Sequence, residues 1–178
     1  MNNIEYDTTN WSDGDIAVFE AIVNAEKEAV AMARSVIDSY WVKFDSSNRI
    51  IMNNKRTGTD PKRKVAVIAP VIEAGASTGR KINRLIWRTF GTEGYQRNHR
   101  GAGRRVAFSR GDYEYTYSPN SLLKHSVGWD AKLIFEAETK LEPIRLALKN
   151  YQRILVSIAA RYRRVSRLTE KRVNTYGE

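Results

Sequence analysis

Residues 141–165 read LEPIRLALKNYQRILVSIAARYRRV, and their spacing decides the fold class. Leu141, Ile144, Leu148, Tyr151, Leu155, Ile158, Tyr162 and Val165 recur in alternating steps of three and four. That is the heptad pattern of a helix whose apolar seam lies against another helix. Trp129, Leu133 and Ala137 carry the seam backward in steps of four, so a helix is expected over 128–170. Pro143 has no amide hydrogen to donate. It predicts a kink near 139–143, or a break with Pro143 in the first turn of a new helix. Thr139 suits the kink better than it suits a cap.

A second seam lies at the other end of the chain. Ile16, Phe19, Val23, Val30, Ala33, Ile37, Tyr40 and Phe44 repeat the three-four rhythm, with Glu26 at one seam position. Ile22, Ala29 and Val36 widen the stripe on one flank. Ser12 or Asp13 can cap this helix, and no Gly or Pro falls between Gly14 and Phe44. At ~1.5 Å per residue the rod is on the order of 45 Å long. The two helices can pair antiparallel within one chain or form a coiled coil with a second copy. Antiparallel pairing sets Asp13, Asp15, Glu20, Glu26 and Glu28 near Arg153, Arg161, Arg163, Arg164 and Arg167. Each exposed pair adds only a few tenths of a kcal/mol, so this selects orientation more than stability.

Between the helices the character changes. Residues 49–117 hold β-branched and aromatic residues between turn signals, which predicts a small antiparallel sheet of two hairpins. Arg49–Asn53, Val65–Glu73, Lys81–Phe90 and Arg104–Arg110 are the strand candidates. Pro70 places the second of these at an edge or a bulge. Asn54–Lys64 (NKRTGTDPKRK) reads as an exposed basic loop, Gly75–Gly79 (GASTG) as a turn, and Gly91–Gly103 as a glycine-rich loop carrying Arg97, His99 and Arg100. Tyr113, Tyr115 and Tyr117 alternate, as rings on a strand covering a core do; stacking on unpaired bases is the other use of such a run.

The whole chain has 178 residues and reads as a single domain, 1–178, with a helical stalk of 12–44 and 128–170 and a basic β insertion at 49–117. It is 28% charged and 42% hydrophobic, as expected of a folded protein, with a net charge of +10. The charge is segregated. Residues 1–48 carry nine acidic and three basic side chains, residues 49–125 five and sixteen, residues 126–178 six and eleven. A basic stretch of that density draws phosphate backbones by counterion release. The start is polar and acidic, unlike a secretory signal, and the longest apolar run, Val65–Ile72, is far below the ~20 residues of a membrane span. A cytoplasmic protein without membrane contact is expected.

Catalysis finds little support. With no cysteine there is no disulfide, thiolate nucleophile or cysteine-bound zinc. His99 and His125 stand alone, so no metal or other cofactor is expected. The glycine-rich loop lacks the order of a nucleotide-binding loop, and neither a metalloprotease nor a nucleophile-elbow motif occurs. Glu136 and Glu138 are two apart on a helix, about 200° around the axis, and do not share a face. The expectation is a protein that is not an enzyme.

Three segments carry a resemblance: RRVAFS (Arg104–Ser109), YTYSPNSLL (Tyr115–Leu123) and GWDAKLIFEAETKLEPIR (Gly128–Arg145). Together they are similar to the MobI-type conjugative-transfer proteins of mobile plasmids and integrative elements. The matching steps are Phe108–Ser109, Tyr117–Pro119, Trp129–Asp130, Glu136–Glu138 and Ile144–Arg145. YWVKF (Tyr40–Phe44) and IWRTF (Ile86–Phe90) resemble the family's earlier aromatic segments more loosely. The resemblance implies a relaxosome accessory protein that acts at the origin of transfer beside a separate relaxase. The matched residues look structural, and they assign no base-reading side chain.

The expected architecture is therefore α+β: a long antiparallel helical hairpin with an inserted small antiparallel sheet. The expected function is non-catalytic binding of double-stranded DNA in conjugative mobilisation, with a relaxase and a second copy of the chain as candidate partners. On charge alone the phosphate contacts fall to Lys55, Arg56, Lys62, Arg63, Lys64, Arg80, Lys81, Arg84, Arg97, Arg100, Arg104 and Arg105. The alternative is a nucleic-acid-binding or assembly subunit of a larger ribonucleoprotein or virion particle, which would show the same stalk and the same charge.

Overall fold

In the computed structural model two helices of more than forty residues pack side by side, and a small sheet fills the flank between them. The structure describes residues 11–77, 80–90, 104–107 and 116–176. Helix α1 spans Asp13–Arg56, strands β1 and β2 span Ile68–Ser77 and Arg80–Thr89, and β3 is Arg104–Arg105. Helix α2 is Pro119–Leu123 and α3 is Ala131–Tyr176. The strands form one antiparallel sheet in the order β1-β2-β3. The α+β hairpin with its inserted sheet is thus the observed fold, and the stalk closes on itself within the chain.

The far end of the stalk is closed by polar contacts. Ser12 caps α1 and accepts the Asp15 amide at 3.2 Å, while its own amide donates to the Tyr162 hydroxyl at 3.0 Å. Trp11 stacks on the Tyr162 ring at 4.8 Å. Asp15 receives the Tyr162 hydroxyl, the Ser12 hydroxyl and Arg161. This is the acidic-start-to-basic-end pairing that the charge pattern predicts. The Tyr162 and Ser12 hydrogen bonds hold the Asp15 carboxyl below its usual 3.8 against the opposing effect of burial, and Arg161 adds to them. A lowered folded-state pKa stabilises fully above the unfolded value and is lost as pH falls through the folded one. The thermal midpoint should therefore exceed that of Asp15→Asn at neutral pH, and the two should converge below about pH 4. A gap between them that persists at lower pH would show that the contact is not ionic.

Three boundaries differ from expectation. Arg49–Asn53 is helical, not a strand, and α1 continues twelve residues past Phe44. Its buried face simply goes on, through Tyr40, Trp41, Phe44, Asn48 and Ile51, until Gly58 takes a left-handed φ of 75°. Periodicity overrides the β preference of Ile50 and Ile51. Helix α3 runs to Tyr176 and passes Pro143 without a break. Pro143 is exposed, as is Thr139, whose carbonyl it leaves without a helical partner. Finally, β1 begins at Ile68 rather than Val65 and reaches Ser77, which pairs with Arg80. Gly75–Ser77 are strand instead of turn.

Residues 65–67 are held to α1 by a side chain. Asn48, fully buried, donates from its amide to the Ala66 carbonyl at 3.0 Å and accepts the Ala66 amide at 2.8 Å. It thereby does for the backbone what a neighbouring strand would do. Asn48→Ala leaves both buried groups unpaired and should cost about 1–3 kcal/mol in a urea titration. Asn48→Asp, which keeps only the acceptor, should also destabilise; a wild-type midpoint in both variants would remove Asn48 from the fold's support.

The sheet's edges are closed in the same way. On β1 the Tyr40 hydroxyl donates to the Ile68 carbonyl at 2.8 Å and the Trp41 indole to the Pro70 carbonyl at 3.0 Å. Pro70 sits on this outer edge, where no amide is needed, as its residue type predicts. Burial and the charge of Asp130 push the Tyr40 phenol well above its usual range, so it stays a donor. On β2, past the short β3, the Trp87 amide donates to the Tyr117 hydroxyl at 3.1 Å and the Arg145 Nε to the Leu85 carbonyl at 3.0 Å. The core beneath holds Ala33, Ile37, Tyr40, Phe44, Trp87, Leu122, Ile134, Leu141 and Leu148.

Candidate nucleic-acid interface

Five of the twelve cations expected from sequence come together at one end of the stalk. Lys55 and Arg56 form the last turn of α1, and Lys62, Arg63 and Lys64 lie on the segment that turns back from it. All five are exposed. The Trp129 indole donates to the Lys64 carbonyl at 3.1 Å and so fastens this segment to the start of α3. That contact brings Lys124, in the turn after α2, and Lys132, in the first turn of α3, to the same end. Sequence reasoning missed those two, because they lie about seventy residues further along. Among the described residues, Asp60 lies half-buried in the same turn, Asp130 is buried beside Trp129, and Glu136 pairs with Lys132 at 3.8 Å. Lys55 and Arg56 also suit the negative end of the helix dipole, so only part of their placement speaks for a ligand.

Three more of the expected residues lie on the β1–β2 hairpin. The register sets Arg80 opposite Ser77, Lys81 opposite Ala76 and Arg84 opposite Glu73, and Arg84 is exposed. Arg104 and Arg105 are exposed on β3. Arg105 is partly committed to the fold, since it shares Glu73 with Arg88. Burial pushes the Glu73 carboxyl up, but hydrogen bonds from Arg105 and Arg88 outweigh it, and the net shift is downward. Arg97 and Arg100, with the glycine-rich loop, lie outside the described residues, as do His99, Tyr113 and Tyr115.

The most constrained charges are ones that sequence reasoning did not single out as a pair. Glu138 and Arg145 sit seven apart on one face of α3, both buried. Arg145 donates to the two Glu138 oxygens at 2.8 and 2.9 Å, and the Trp87 indole donates to Glu138 at 2.7 Å. The guanidinium also lies over the Tyr117 ring, 4.9 Å from its centre. Burial pushes the Tyr117 phenol up to about 12, which keeps it protonated under the guanidinium. Glu136, in contrast, is exposed, so the two carboxylates do part to opposite faces. Glu138 is thus held by Arg145 and Trp87 together.

Trp129, Asp130 and Pro119 have structural uses too. Asp130 accepts the Val127 amide at 2.9 Å and the Ser126 hydroxyl at 2.5 Å at the start of α3, and Pro119 opens α2 behind the Ser118 cap. Beside α2 a groove of about 400 Å³ has a mostly apolar lining, including Leu122, Ile134 and Phe135, with Glu138, Thr139 and Glu142 along its α3 side. Among the described residues no group of histidines and carboxylates could hold a metal ion, and no helix is long and apolar enough to cross a membrane.

Among known proteins, residues 29–159 match a protein-family model described as MobI protein. No curated protein and no solved structure matches the chain.

Proposed function

Because the chain belongs to the MobI family, whose role is an accessory one in conjugative mobilisation, we propose that it is a non-catalytic protein that binds duplex DNA at the origin of transfer and assists a separate relaxase. The observation that carries this reading is the cluster at the end of α1. Lys55, Arg56, Lys62, Arg63 and Lys64 stand exposed there, and the described ion pairs engage none of them. Exposed cations without acidic partners repel one another, so such a cluster is retained at a cost that a polyanion would relieve. Lys124 and Lys132 extend it toward α3. Contacts of this type supply affinity and register, and their strength falls steeply with salt. A second copy of the chain would double the footprint.

A mobility-shift titration at two salt concentrations tests the reading. It compares the origin-of-transfer duplex with a scrambled duplex and with RNA of equal length. A preference for the origin duplex that persists at the higher salt is the expected result. Equal binding to all three that salt abolishes would sink it, and tighter binding to RNA would favour a ribonucleoprotein or virion subunit.

A further inference from the structure

The pairing of α1 with α3 leaves part of both apolar seams uncovered. The sheet is anchored on one side of the stalk, by Trp41 and Asn48 of α1 and by Glu138 and Arg145 of α3. At ~100° per residue, Val18, Met32 and Val36 lie about 120–180° around α1 from its two anchors. Tyr151, Ile154 and Ile158 lie about as far around α3 from Glu138 and Arg145. Both rows therefore come out on the side of the stalk opposite the sheet. Val18, Met32 and Ile154 are 47%, 56% and 43% exposed, and Val36, Tyr151 and Ile158 are half-buried. The contact of Tyr162 with Asp15 sets residues 18–36 beside residues of about 141–159, so the two rows make one apolar face two helices wide.

The charges along this face are their own complement. Residues 13–28 of α1 carry five acids and one lysine, and residues 149–167 of α3 carry six basic side chains and no acid. A two-fold axis parallel to the stalk lays the acidic stretch of one copy on the basic stretch of the other. It also preserves height, so the register within the chain is inherited across the interface, with Asp13 of one copy level with Arg164 of the other. Both residues are exposed, and the described ion pairs engage neither. A two-fold across the stalk would instead set α1 on α1 and α3 on α3, like charge on like. The size is also sufficient. From Asp13 to Val36 the face is about 36 Å long and, with helices ~9 Å apart, roughly 18 Å wide. Two such faces hide on the order of 1,300 Å², within the ~1,200–2,000 Å² of stable interfaces.

We propose that this face joins two copies of the chain into a four-helix bundle, with α1 of each copy stacked on α3 of the other about a two-fold parallel to the stalk. The inference does not rest on the DNA-binding reading. In such a dimer the two basic clusters at the ends of α1 lie side by side at one end of the bundle.

Sedimentation equilibrium of the full-length protein without nucleic acid is the first test, and the expected mass is twice the 20.4 kDa of one chain. Met32→Glu/Ile154→Glu should keep the circular dichroism of wild type, because both side chains are exposed. It should weaken association by more than roughly a hundredfold, since each new carboxylate is buried twice across the two-fold. Cross-linking tests the orientation, and the absence of cysteine makes it specific. Ala147 lies in the row of Tyr151 and Ile158 at about the height of Met32. A short bis-maleimide should therefore join Met32→Cys protein to Ala147→Cys protein in a mixture, and neither protein to itself. A double variant that associates as wild type does, or Met32→Cys protein that links to itself, would overturn the inference. So would a monomeric wild type, even one that shifts the origin duplex as the DNA-binding reading expects.

Discussion

Arg145→Ala is expected to lower the stability of the fold by about 3–5 kcal/mol, the usual cost of removing one partner of a buried ion pair. The reasons are specific to the site. The substitution strips Glu138 of both its Arg145 hydrogen bonds while leaving the carboxylate buried, and it frees the Leu85 carbonyl on the outer edge of β2. Arg145→Lys should recover little, because an ammonium cannot fork across two carboxylate oxygens and reach a third acceptor. Arg145→Met combined with Glu138→Leu should be less damaging than Arg145→Ala, since no unpaired charge then remains. It will not reach wild type, because the Trp87 indole loses its acceptor. Urea titrations of the four proteins check the order. If the single and double variants unfold at the same midpoint, the buried charge is not what the pair protects.

The second large effect concerns binding. Lys62→Ala/Arg63→Ala/Lys64→Ala should leave stability unchanged, because all three side chains are exposed and the Trp129 contact uses the Lys64 backbone. If each side chain neutralises one phosphate, the slope of log K against log salt should become shallower by about 2.7. Carried from ~1 M salt to ~0.15 M, that slope change amounts to roughly a hundredfold weaker binding. Fluorescence anisotropy with a labelled duplex over a salt series measures both quantities. A slope equal to that of wild type would mean that this end of the stalk does not touch DNA.

The helices were legible because a seam of steps of three and four survives any choice of surface residues. The continuation of α1 to Arg56 was less so. Ile50 and Ile51 look like strand residues, and the stripe that makes them helical includes Asn48, a polar residue at a buried position. Its partner, the Ala66 backbone, is invisible in sequence. The Glu138–Arg145 pair was hidden for a related reason. Charged side chains default to the surface, and only their separation of seven, in phase with Leu141 and Leu148, hints that they share the inner face. For the site, the residue types were legible and their grouping was not. Nothing in the sequence says that Lys124 and Lys132 join the cations around Lys62, because a single indole-to-carbonyl bond from Trp129 makes that connection. The hairpin of β1 and β2 was misjudged at Gly75, which reads as a turn and is strand.

The side chains that close the two sheet edges also set the order in which the chain can fold. The hairpin of β1 and β2 is local and can pair early. Among the described residues, and apart from the short β3, its outer edges are satisfied by Tyr40 and Trp41, which lie 28 and 29 residues before the carbonyls they bind, and by Tyr117 and Arg145, which lie 30 and 60 residues after the groups they bind. The stalk itself closes through Ser12 and Tyr162, 150 residues apart. Such long-range contacts slow folding, because loop closure is paid before the contacts return anything. On the ribosome, β2 emerges with its outer edge bare and must wait for sixty more residues before Arg145 arrives. During that interval the growing chain offers a ready template for strand addition, a hazard that the finished protein no longer presents at these positions.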